Sequence, residues 1–257
     1  MRAFGIDIGG SGVKGAPVDL RTGQFSEDRF RIETPQPSTP KAVAAVVKAV
    51  LNHFGATADG LPIGITVPAI VRHGITRSAA NIDPKWIDAP AADLLSDAVG
   101  RSVTLLNDAD AAGLAEVYYG AARGQTGLVI VTTLGTGIGS AMIYRGVLVP
   151  NSELGHLQLD GFDAEKRASA GAKANEDLSW PAFSQRLQRY YSHVEALFSP
   201  DLLVVGGGIS RNAHKFLPRL SLNTPIVPAA LRNQAGIVGA AWAASTAASD
   251  SSLSRSN

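Results

Sequence analysis

The sequence predicts an α/β fold, and three observations in its 257 residues support this prediction. Apolar strand-like runs alternate with helical segments whose apolar residues recur at i, i+3, i+4 and i+7. A unit of strand, glycine-rich tip and strand occurs twice, with tips at residues 9–12 and 135–140. An Asn-Asp pair follows the apolar run 103–106, at the strand end where open α/β sheets bind ligands.

The composition excludes several classes of protein. Hydrophobic residues make up 45% of the chain and charged residues 18%, which suits one large domain or two modest ones. A net charge of +1 predicts no nucleic-acid or membrane partner. The chain has no cysteine, which excludes disulfides, thiolate zinc sites and cysteine nucleophiles. Because the N-terminus passes directly into a strand-like run and no apolar stretch could span a bilayer, we expect a cytoplasmic protein.

The first glycine-rich unit predicts a phosphate site. Residues 3–8 form an apolar strand interrupted by Asp7, which lies where it could hold a hydrated divalent cation. Small tip residues let backbone N–H groups converge on an anion, and Lys14 adds a mobile positive charge. The spacing is neither a Walker A loop nor a dinucleotide fingerprint, and an ordinary hairpin is equally compatible with it. The tip residues are Gly9, Gly10, Ser11 and Gly12.

The next segments predict connectors and further elements of the same domain. Residues 25–32 are expected to complete a three-stranded meander. The segment 34–40 holds three prolines and predicts a stiff extended loop, for which a plain connector is the simpler interpretation. Asn81 is a candidate sugar ligand, although turns favour asparagine anyway. The expected elements are helices 41–54 and 91–99, strand 62–67 and hairpin 71–77.

The pair Asn107-Asp108 is the candidate catalytic element. Asp108 could accept a proton from a substrate hydroxyl, and Asn107 could exchange hydrogen bonds beside it. The alternative is that Asp108 or Asp110 only caps the helix expected over 109–119, and these residues alone favour the cap.

The second half of the chain repeats the glycine pattern. Strand 128–134 leads into a tip containing Gly135, Thr136 and Gly137, and strand 141–144 follows. Two such hairpins facing one another would bracket a chain of phosphates, and the repetition is more specific than either copy. A third tip, with Gly207 and Gly208, follows strand 201–205.

Several polar residues of this half are candidates for ligand binding. Glu153 and His156 could face one side of a turn and contact sugar hydroxyls. The alternative is that Glu153 is an ordinary surface residue and His156 a capping residue. Segment 162–177 could be a helix exposed to solvent or a basic wall that binds an anion. The solvent-exposed helix is the simpler interpretation. The remaining expected elements are helix 178–198, strand 225–228, helix 235–247 and a frayed end from 249.

With these residues in view, the chain resembles the ROK family of sugar kinases, and within it the polyphosphate-using branch. Five segments carry the resemblance, in the family's order and across nearly the whole chain. They are residues 5–15, 107–110, 134–139, 153–156 and 205–209.

The resemblance implies an actin-like ATPase (ribonuclease H-like) fold, in which two α/β domains flank a cleft. The implied domains are 1–107 with helix 235–247, and 108–234, followed by a flexible tail, 248–257. Asp108 is then the general base for the sugar 6-hydroxyl. Asn107, Glu153 and His156 are implied sugar ligands, with Asn81 beside them. The glycine tips would hold the donor phosphates, and a homodimer is the family expectation.

The sequence departs from the family in three places. The cysteine-rich zinc site that usually follows the 153–156 motif is absent, so His156 would serve the sugar alone. A further family glutamate has no clear counterpart, and Glu176 is a weak candidate. Pro68-Ala69 replaces the family's Pro-Gly.

The resulting expectation is phosphoryl transfer from polyphosphate, and ATP, to the 6-hydroxyl of glucose, with mannose as a second acceptor. Mg²⁺ is expected near Asp7. Open alternatives are a strictly ATP-dependent hexose kinase and a sugar-responsive regulator. The regulator is disfavoured because the phosphate tip begins within ten residues of Met1, leaving no room for a DNA-binding helix-turn-helix. Candidate residues for the polyphosphate path are Lys14, Lys166, Arg167, Lys173 and Arg211.

Overall fold

A computed structural model describes the backbone of residues 1–254 and the side chains of residues 1–249. The chain divides into two compact units, Met1–Ala111 with Gln234–Asn257, and Ala112–Asn233. In the part of the chain that is described, no helix combines the length and apolar character needed to cross a membrane.

The first unit contains a six-stranded sheet with the order β3-β2-β1-β5-β8, and β4 also pairs with β2. β1 and β2 are antiparallel, whereas β1, β5 and β8 are parallel. Its elements, in chain order, are β1 (Arg2–Gly9), β2 (Gly12–Asp19), β3 (Gln24–Phe25), β4 (Phe30–Ile32), α1 (Pro40–Phe54), β5 (Ile63–Val67), β6 (Val71–Arg72), β7 (Ile75–Thr76), α2 (Ala91–Val99), β8 (Val103–Asn107) and the start of α3 (Asp108–Tyr119).

The second unit contains a five-stranded sheet with the order β11-β10-β9-β14-β15. β9 and β10 are antiparallel, and β9, β14 and β15 are parallel, so the pattern of the first sheet is repeated. Its elements are β9 (Leu128–Leu134), β10 (Ile138–Tyr144), β11 (Val147–Val149), β12 (Gln158–Leu159), β13 (Phe162–Asp163), α4 (Glu165–Ala168), α5 (Ala170–Asn175), α6 (Trp180–Phe198), β14 (Leu202–Gly206), α7 (Ala213–Phe216) and β15 (Ile226–Pro228).

The last helix, α8 (Ala235–Ser254), packs on the sheet of the first unit at very close range. Gly5 and Gly64 face the carbonyl oxygens of Ile237 and Ala240, and a Cβ atom at either glycine would collide with them. The helix can approach the strands this closely only because both positions lack a side chain.

Each unit has its own apolar core. In the first unit the buried face of α1 includes Val43, Val47 and Val50, as its 3.6-residue period predicts. In the second unit α6 buries Phe183, Leu187 and other apolar side chains on the sheet. These cores fix the strand ends from which the candidate site residues extend.

Most predicted elements are confirmed, including α2, β9 and the two glycine-tipped hairpins. The segment 25–32 completes the expected three-stranded meander by pairing with β2, but it is split into two short strands, β3 and β4, and is not one continuous strand. The polar residues 26–29 separate the two strands, with a bend at residues 26 and 27, and Pro17 of β2, near the gap, has no N–H to donate.

Two predictions on helices need correction. Segment 162–177 is not one helix but β13, α4 and α5, because Ser169 adopts an extended conformation and caps a new helix at the N–H of Ala172. The expected helix 235–247 continues to Ser254, since no glycine or proline follows Gly239 to stop it. The predicted tail 248–257 is therefore helical to Ser254, and its last residues, 255–257, lie outside the described residues.

Candidate active site

The first glycine-rich tip is a tight turn between β1 and β2. Gly9 pairs with Gly12, so Gly10 and Ser11 form a two-residue turn with no helix after it. Asp7 and Lys14 are cross-strand partners, and the Lys14 Nζ lies 3.5 Å from Asp7 Oδ2. The structure therefore brings all six predicted residues of this unit to one hairpin end.

Asp7 is held by neighbours on three sides. The hydroxyl of Thr66, on the adjacent strand β5, donates a 2.9 Å hydrogen bond to Asp7 Oδ1. On another side Gly236 lies so close that an added Cβ would be 3.1 Å from the same oxygen. Thr66 was missed by the sequence analysis, although a fully buried threonine inside an apolar strand is a signal for such a role.

Arg31 is a second residue at this tip that the sequence analysis missed. Its Nη2 donates a 2.6 Å hydrogen bond to the carbonyl oxygen of Ser11. The guanidinium lies across Gly12, where a Cβ would be 2.5 Å from Arg31 Nε. Among the described residues Arg31 has no carboxylate within ion-pair distance, whereas the charge of Lys14 is compensated by Asp7.

The proline-rich segment 34–40 is fixed to the tip. Thr34 donates from Oγ1 to the carbonyl oxygen of Gly9, and Thr39 caps α1 at the N–H of Ala42. The backbone carbonyl of Asn81 lies against Gly10 on the tip. Asn81 has a φ of 59°, which agrees with the alternative that asparagine occurs here because the chain turns. Its side chain is exposed, and its role as a sugar ligand stays a prediction.

Asn107, not Asp108 or Asp110, caps helix α3. Its Oδ1 accepts hydrogen bonds from the backbone N–H groups of Ala109 (2.8 Å) and Asp110 (3.1 Å). Its Nδ2 donates to the carbonyl oxygen of Ala69 at 3.2 Å. The capping alternative is therefore wrong for both aspartates, because the helix already begins at Asp108 and the last strand residue supplies the cap.

Asp108 consequently lies in the first turn of α3, where the helix dipole favours a negative charge. The N–H of Ala109 donates to Asp108 Oδ1 at 2.8 Å. Asn107 pairs with Val67 of β5, one position beyond Thr66, so Asp108 follows the same sheet edge that carries Asp7.

The second glycine-rich tip joins β9 and β10. Leu134 pairs with Ile138, and Gly135, Thr136 and Gly137 form the turn between them. The carboxylate of Glu165 accepts a 3.1 Å hydrogen bond from the N–H of Ile138 and lies against Gly137. Glu165 was missed by the sequence analysis.

The third tip adjoins the second one. Gly207, with a φ of 80°, packs against the backbone of Leu134, where a Cβ would collide with it. Gly208 opens a short 3-10 turn, and Arg211 in that turn donates from Nε to the Gly208 carbonyl at 3.2 Å. The second unit therefore holds two glycine tips side by side.

The turn with Glu153 and His156 joins this group. Gly155 packs against the carbonyl of Ile138, and Ser140 Oγ accepts a 2.9 Å hydrogen bond from the N–H of Leu154. Burial raises the pKa of the half-buried Glu153 carboxyl, while nearby His156 lowers this pKa and Glu165 raises it further.

His156 is exposed, and its Nδ1 lies 3.6 Å from Asp163 Oδ2. Glu176 is directed elsewhere, because it forms a bidentate ion pair with Arg186 at 2.8 and 2.6 Å. Glu165, rather than Glu176, is thus the second glutamate whose charge acts on Glu153. The weak sugar assignment of Glu176 has no support in this arrangement.

The predicted basic residues of the second unit have different surroundings. Lys173 donates to the carbonyl of Leu178 and lies 4.5 Å from the Trp180 ring centre. Lys166 is 3.9 Å from Asp163. Arg167 lies over the ring of Phe162. These side chains are not assembled into a single track, and only Arg211 contacts a glycine tip.

Comparison with known proteins gives the family. The model of the ROK family matches residues 3–175 of this chain. The chain belongs to the ROK family. It is 51% identical over 241 residues to the polyphosphate glucokinase of Mycobacterium tuberculosis, covering 93% of this chain and 90% of that protein.

Solved ROK structures share the fold. The inorganic polyphosphate/ATP-glucomannokinase of Arthrobacter sp. strain KM is 55% identical with a TM-score of 0.91, covering 96% of this chain and 99% of that one. A ROK glucokinase from Streptomyces griseus, solved with glucose and AMPPNP, has a TM-score of 0.77 at 24% identity, covering 96% and 100% of the chains. The predicted actin-like fold class is therefore confirmed.

Proposed function

We propose that this ROK-family chain transfers a phosphoryl group from inorganic polyphosphate, and from ATP, to the 6-hydroxyl of glucose. The observation that carries the proposal is 51% identity, across nearly the whole chain, to a protein named polyphosphate glucokinase. The geometry supports it, because an aspartate at a helix start and three glycine tips supply the groups that phosphoryl transfer needs.

Asp108 is the proposed general base. As the sugar O6 attacks the terminal phosphorus, the new O6–P bond forms and the bridging P–O bond to the rest of the donor breaks. The hydroxyl proton passes to the Asp108 carboxylate. The products are hexose 6-phosphate and a donor that is one phosphate shorter. Such proton transfer contributes about 10²–10⁴-fold to the rate.

The backbone N–H groups of the glycine tips, together with Lys14, are proposed to stabilise the phosphoryl oxygens. The Asp7 carboxylate holds Lys14 at 3.5 Å, so that the ammonium stays at the tip. Glu153 and His156 are proposed sugar ligands in the second unit, and Asn81 and Asn107 in the first.

Mg²⁺ is the cation that the family implies. Within the described residues no group of three His, Cys, Asp or Glu side chains could hold a metal by itself. One carboxylate, that of Asp7, lies beside the phosphate tip. This fits Mg²⁺, which proteins usually bind through one or two carboxylates, with water and the phosphates of the substrate as the other ligands. When bound, the ion would neutralise charge on the donor oxygens.

Arg31 is the proposed residue that begins a polyphosphate path. Its guanidinium is fixed at the tip by Ser11, and no described carboxylate compensates its charge. A guanidinium offers five N–H donors, so most remain for phosphate oxygens. Arg211 at the third tip is a second candidate, and the other predicted basic residues lack a comparable position.

Three further parts of the proposal follow from the family resemblance and the related proteins. Mannose is a second acceptor, the chain forms a homodimer, and it works in the cytoplasm. Sedimentation at micromolar concentration tests the dimer, and a single monomeric species would contradict it.

The direct test is phosphorylation of glucose by the purified chain with Mg²⁺ and one donor at a time. ATP-free polyphosphate should support turnover, and polyphosphate-free ATP should do so as well. Activity with ATP alone would replace the proposal by a strictly ATP-dependent kinase. Activity with neither donor, on glucose or mannose, would overturn it.

A further inference from the structure

A cavity of about 450 Å³ lies in the second unit, beside the β12–β13 hairpin, α4 and α6, and none of the functions above uses it. This volume is within the range of small-molecule sites. Apolar side chains, including Leu159, Phe162 and Leu178, form much of its lining. The cavity is partly open to solvent, because Phe162 at its edge is exposed, and it offers a ligand a partly apolar surface.

The charged residues that line the cavity, together with their ion-pair partners, carry an excess of positive charge. Arg186 is paired with Glu176 at 2.6 Å, and Arg189 with Asp160 at 2.9 Å. A third guanidinium, that of Arg167, forms no ion pair within 4.0 Å among the described residues, although its charge also helps to lower the pKa of Asp160 and of Glu176. Three guanidinium groups thus stand beside two carboxylates, which favours an anionic ligand.

Two lining residues have unused hydrogen-bonding capacity, Arg167 at the surface and Tyr190 in the interior. The Arg167 guanidinium lies 3.9 Å from the centre of the Phe162 ring, an arrangement that holds the charge in place while its N–H donors stay available. Tyr190 is fully buried, and its hydroxyl has no hydrogen-bond partner among the described residues. Burial raises the pKa of this phenol, so it remains a neutral donor.

The wall of the cavity is built from the segment that supports the candidate active site. Asp163 contacts His156 at 3.6 Å, and Glu165 accepts from the N–H of Ile138 at the second tip. Arg167 follows two residues later in the same short helix, α4. Glu165 belongs to α4 and Asp163 to β13 just before it, so a ligand that moves this segment would change both contacts.

We propose that this cavity binds an amphipathic organic anion, whose acidic head meets Arg167 and whose apolar body meets the apolar lining. Occupation of the cavity alters sugar binding through Asp163 and Glu165. The binding site itself is independent of the proposed kinase activity, and only the effect on sugar rests on that function.

The test uses 8-anilinonaphthalene-1-sulfonate, an aromatic sulfonate whose fluorescence increases in apolar surroundings. Titration into the full chain should saturate at one dye per chain. Arg167→Gln should raise the dissociation constant about fivefold or more, because the head group loses its charged partner. Ala182→Trp, which fills the cavity from α6, should abolish this binding.

Arg145→Gln is the matched control, because Arg145 also lies over an aromatic ring, that of Tyr144, but outside the cavity. It should leave the dye affinity unchanged. Equal dye binding by Arg167→Gln, or by a folded Ala182→Trp chain, would overturn the proposal, as would the absence of saturable binding. Circular dichroism checks the fold, and Arg167→Gln decides the question if Ala182→Trp does not fold.

Further measurements distinguish a regulatory anion site from a part of the donor path and from a contact between two copies of the chain. Equilibrium binding of glucose should change at least about twofold when the dye is saturating, and not in Ala182→Trp. This measurement needs no turnover, so it remains informative if the kinase assay fails. Displacement of the dye by polyphosphate would place Arg167 on the donor path, and a change of oligomeric state in Ala182→Trp would indicate a second copy on the cavity. Either result would overturn the proposal.

Discussion

The guanidinium of Arg31 donates a 2.6 Å hydrogen bond to the carbonyl oxygen of Ser11, at the turn of the first glycine-rich hairpin. The residue belongs to β4 and faces Lys14 across the β2–β4 ladder. A cation fixed in this way loses little further conformational entropy when it binds an anion.

Arg31→Gln should therefore weaken polyphosphate use more than ATP use. We expect the apparent affinity for long polyphosphate to fall about three- to tenfold, with a shallower dependence on salt. The measurement is initial rate against donor concentration at two salt concentrations. Arg21→Gln, in the turn that follows the far end of β2, is the control that removes the same charge. Equal losses with both donors would contradict the assignment of Arg31 to the polyphosphate path.

Asp108→Asn tests the proposed base. Asparagine keeps an oxygen that can accept from the N–H of Ala109, so we expect α3 to remain folded. Turnover should fall about 10²–10⁴-fold, because the proton acceptor is lost. Calorimetric titration with glucose should show binding close to that of the unmodified chain. Retained turnover would refute the role of Asp108, and lost glucose binding would make it a sugar ligand instead.

The sequence predicts the glycine tips and the Asn-Asp pair because each depends on residues that are adjacent in the chain. Asp7 and Lys14, only seven positions apart, are likewise cross-strand neighbours. Arg31 could not be found in this way, since its contact with Ser11, 20 residues away in the chain, depends on the pairing of β4 with β2.

The second glutamate near Glu153 shows the same limit. Composition and spacing do not distinguish Glu165 from Glu176, because both follow the 153–156 motif in a polar segment. The tertiary structure distinguishes them, since Arg186 on α6 binds Glu176 while Ile138 binds Glu165. The partner of each glutamate is thus set by residues far away in the chain, which the local sequence does not reveal.

Glu153→Gln should change stability and activity in opposite directions. Burial raises the pKa of Glu153 in the folded chain above the usual value of 4.5, so the folded state binds this proton more tightly than the unfolded state does. The free energy of unfolding therefore falls as pH rises through the raised pKa, and the ionised carboxyl destabilises the fold at neutral pH. Glutamine removes this contribution.

We therefore expect Glu153→Gln to have a higher urea midpoint than the unmodified chain at pH 7, and no advantage below pH 4.5. Its kcat/KM for glucose should be lower at pH 7. In the unmodified chain, kcat/KM should fall as the pH is lowered, because the carboxyl becomes protonated and loses its charge. This fall should begin at a pH above 4.5. An equal stability difference at both pH values would contradict the raised pKa.

Gly135→Ala separates a folding role from a binding role at the second tip. No atom lies within 4 Å of a Cβ added at Gly135, and its φ is not in the left-handed region. The fold therefore has no steric need for glycine here. A glycine in open space, in the second tip and beside the third, is what a phosphate requires for close approach to N–H groups.

The expected result is an unfolding free energy within about 0.5 kcal/mol of the unmodified chain, with a KM for polyphosphate and for ATP at least about tenfold higher. The KM for glucose should stay nearly constant. Gly64→Ala provides the contrast, since its Cβ would collide with the Ala240 carbonyl and lower stability by about 1–3 kcal/mol or more. If Gly135→Ala left both donor KM values unchanged, the second tip would not hold donor phosphates, and Gly207 and Gly208 beside it would lose their proposed role as well.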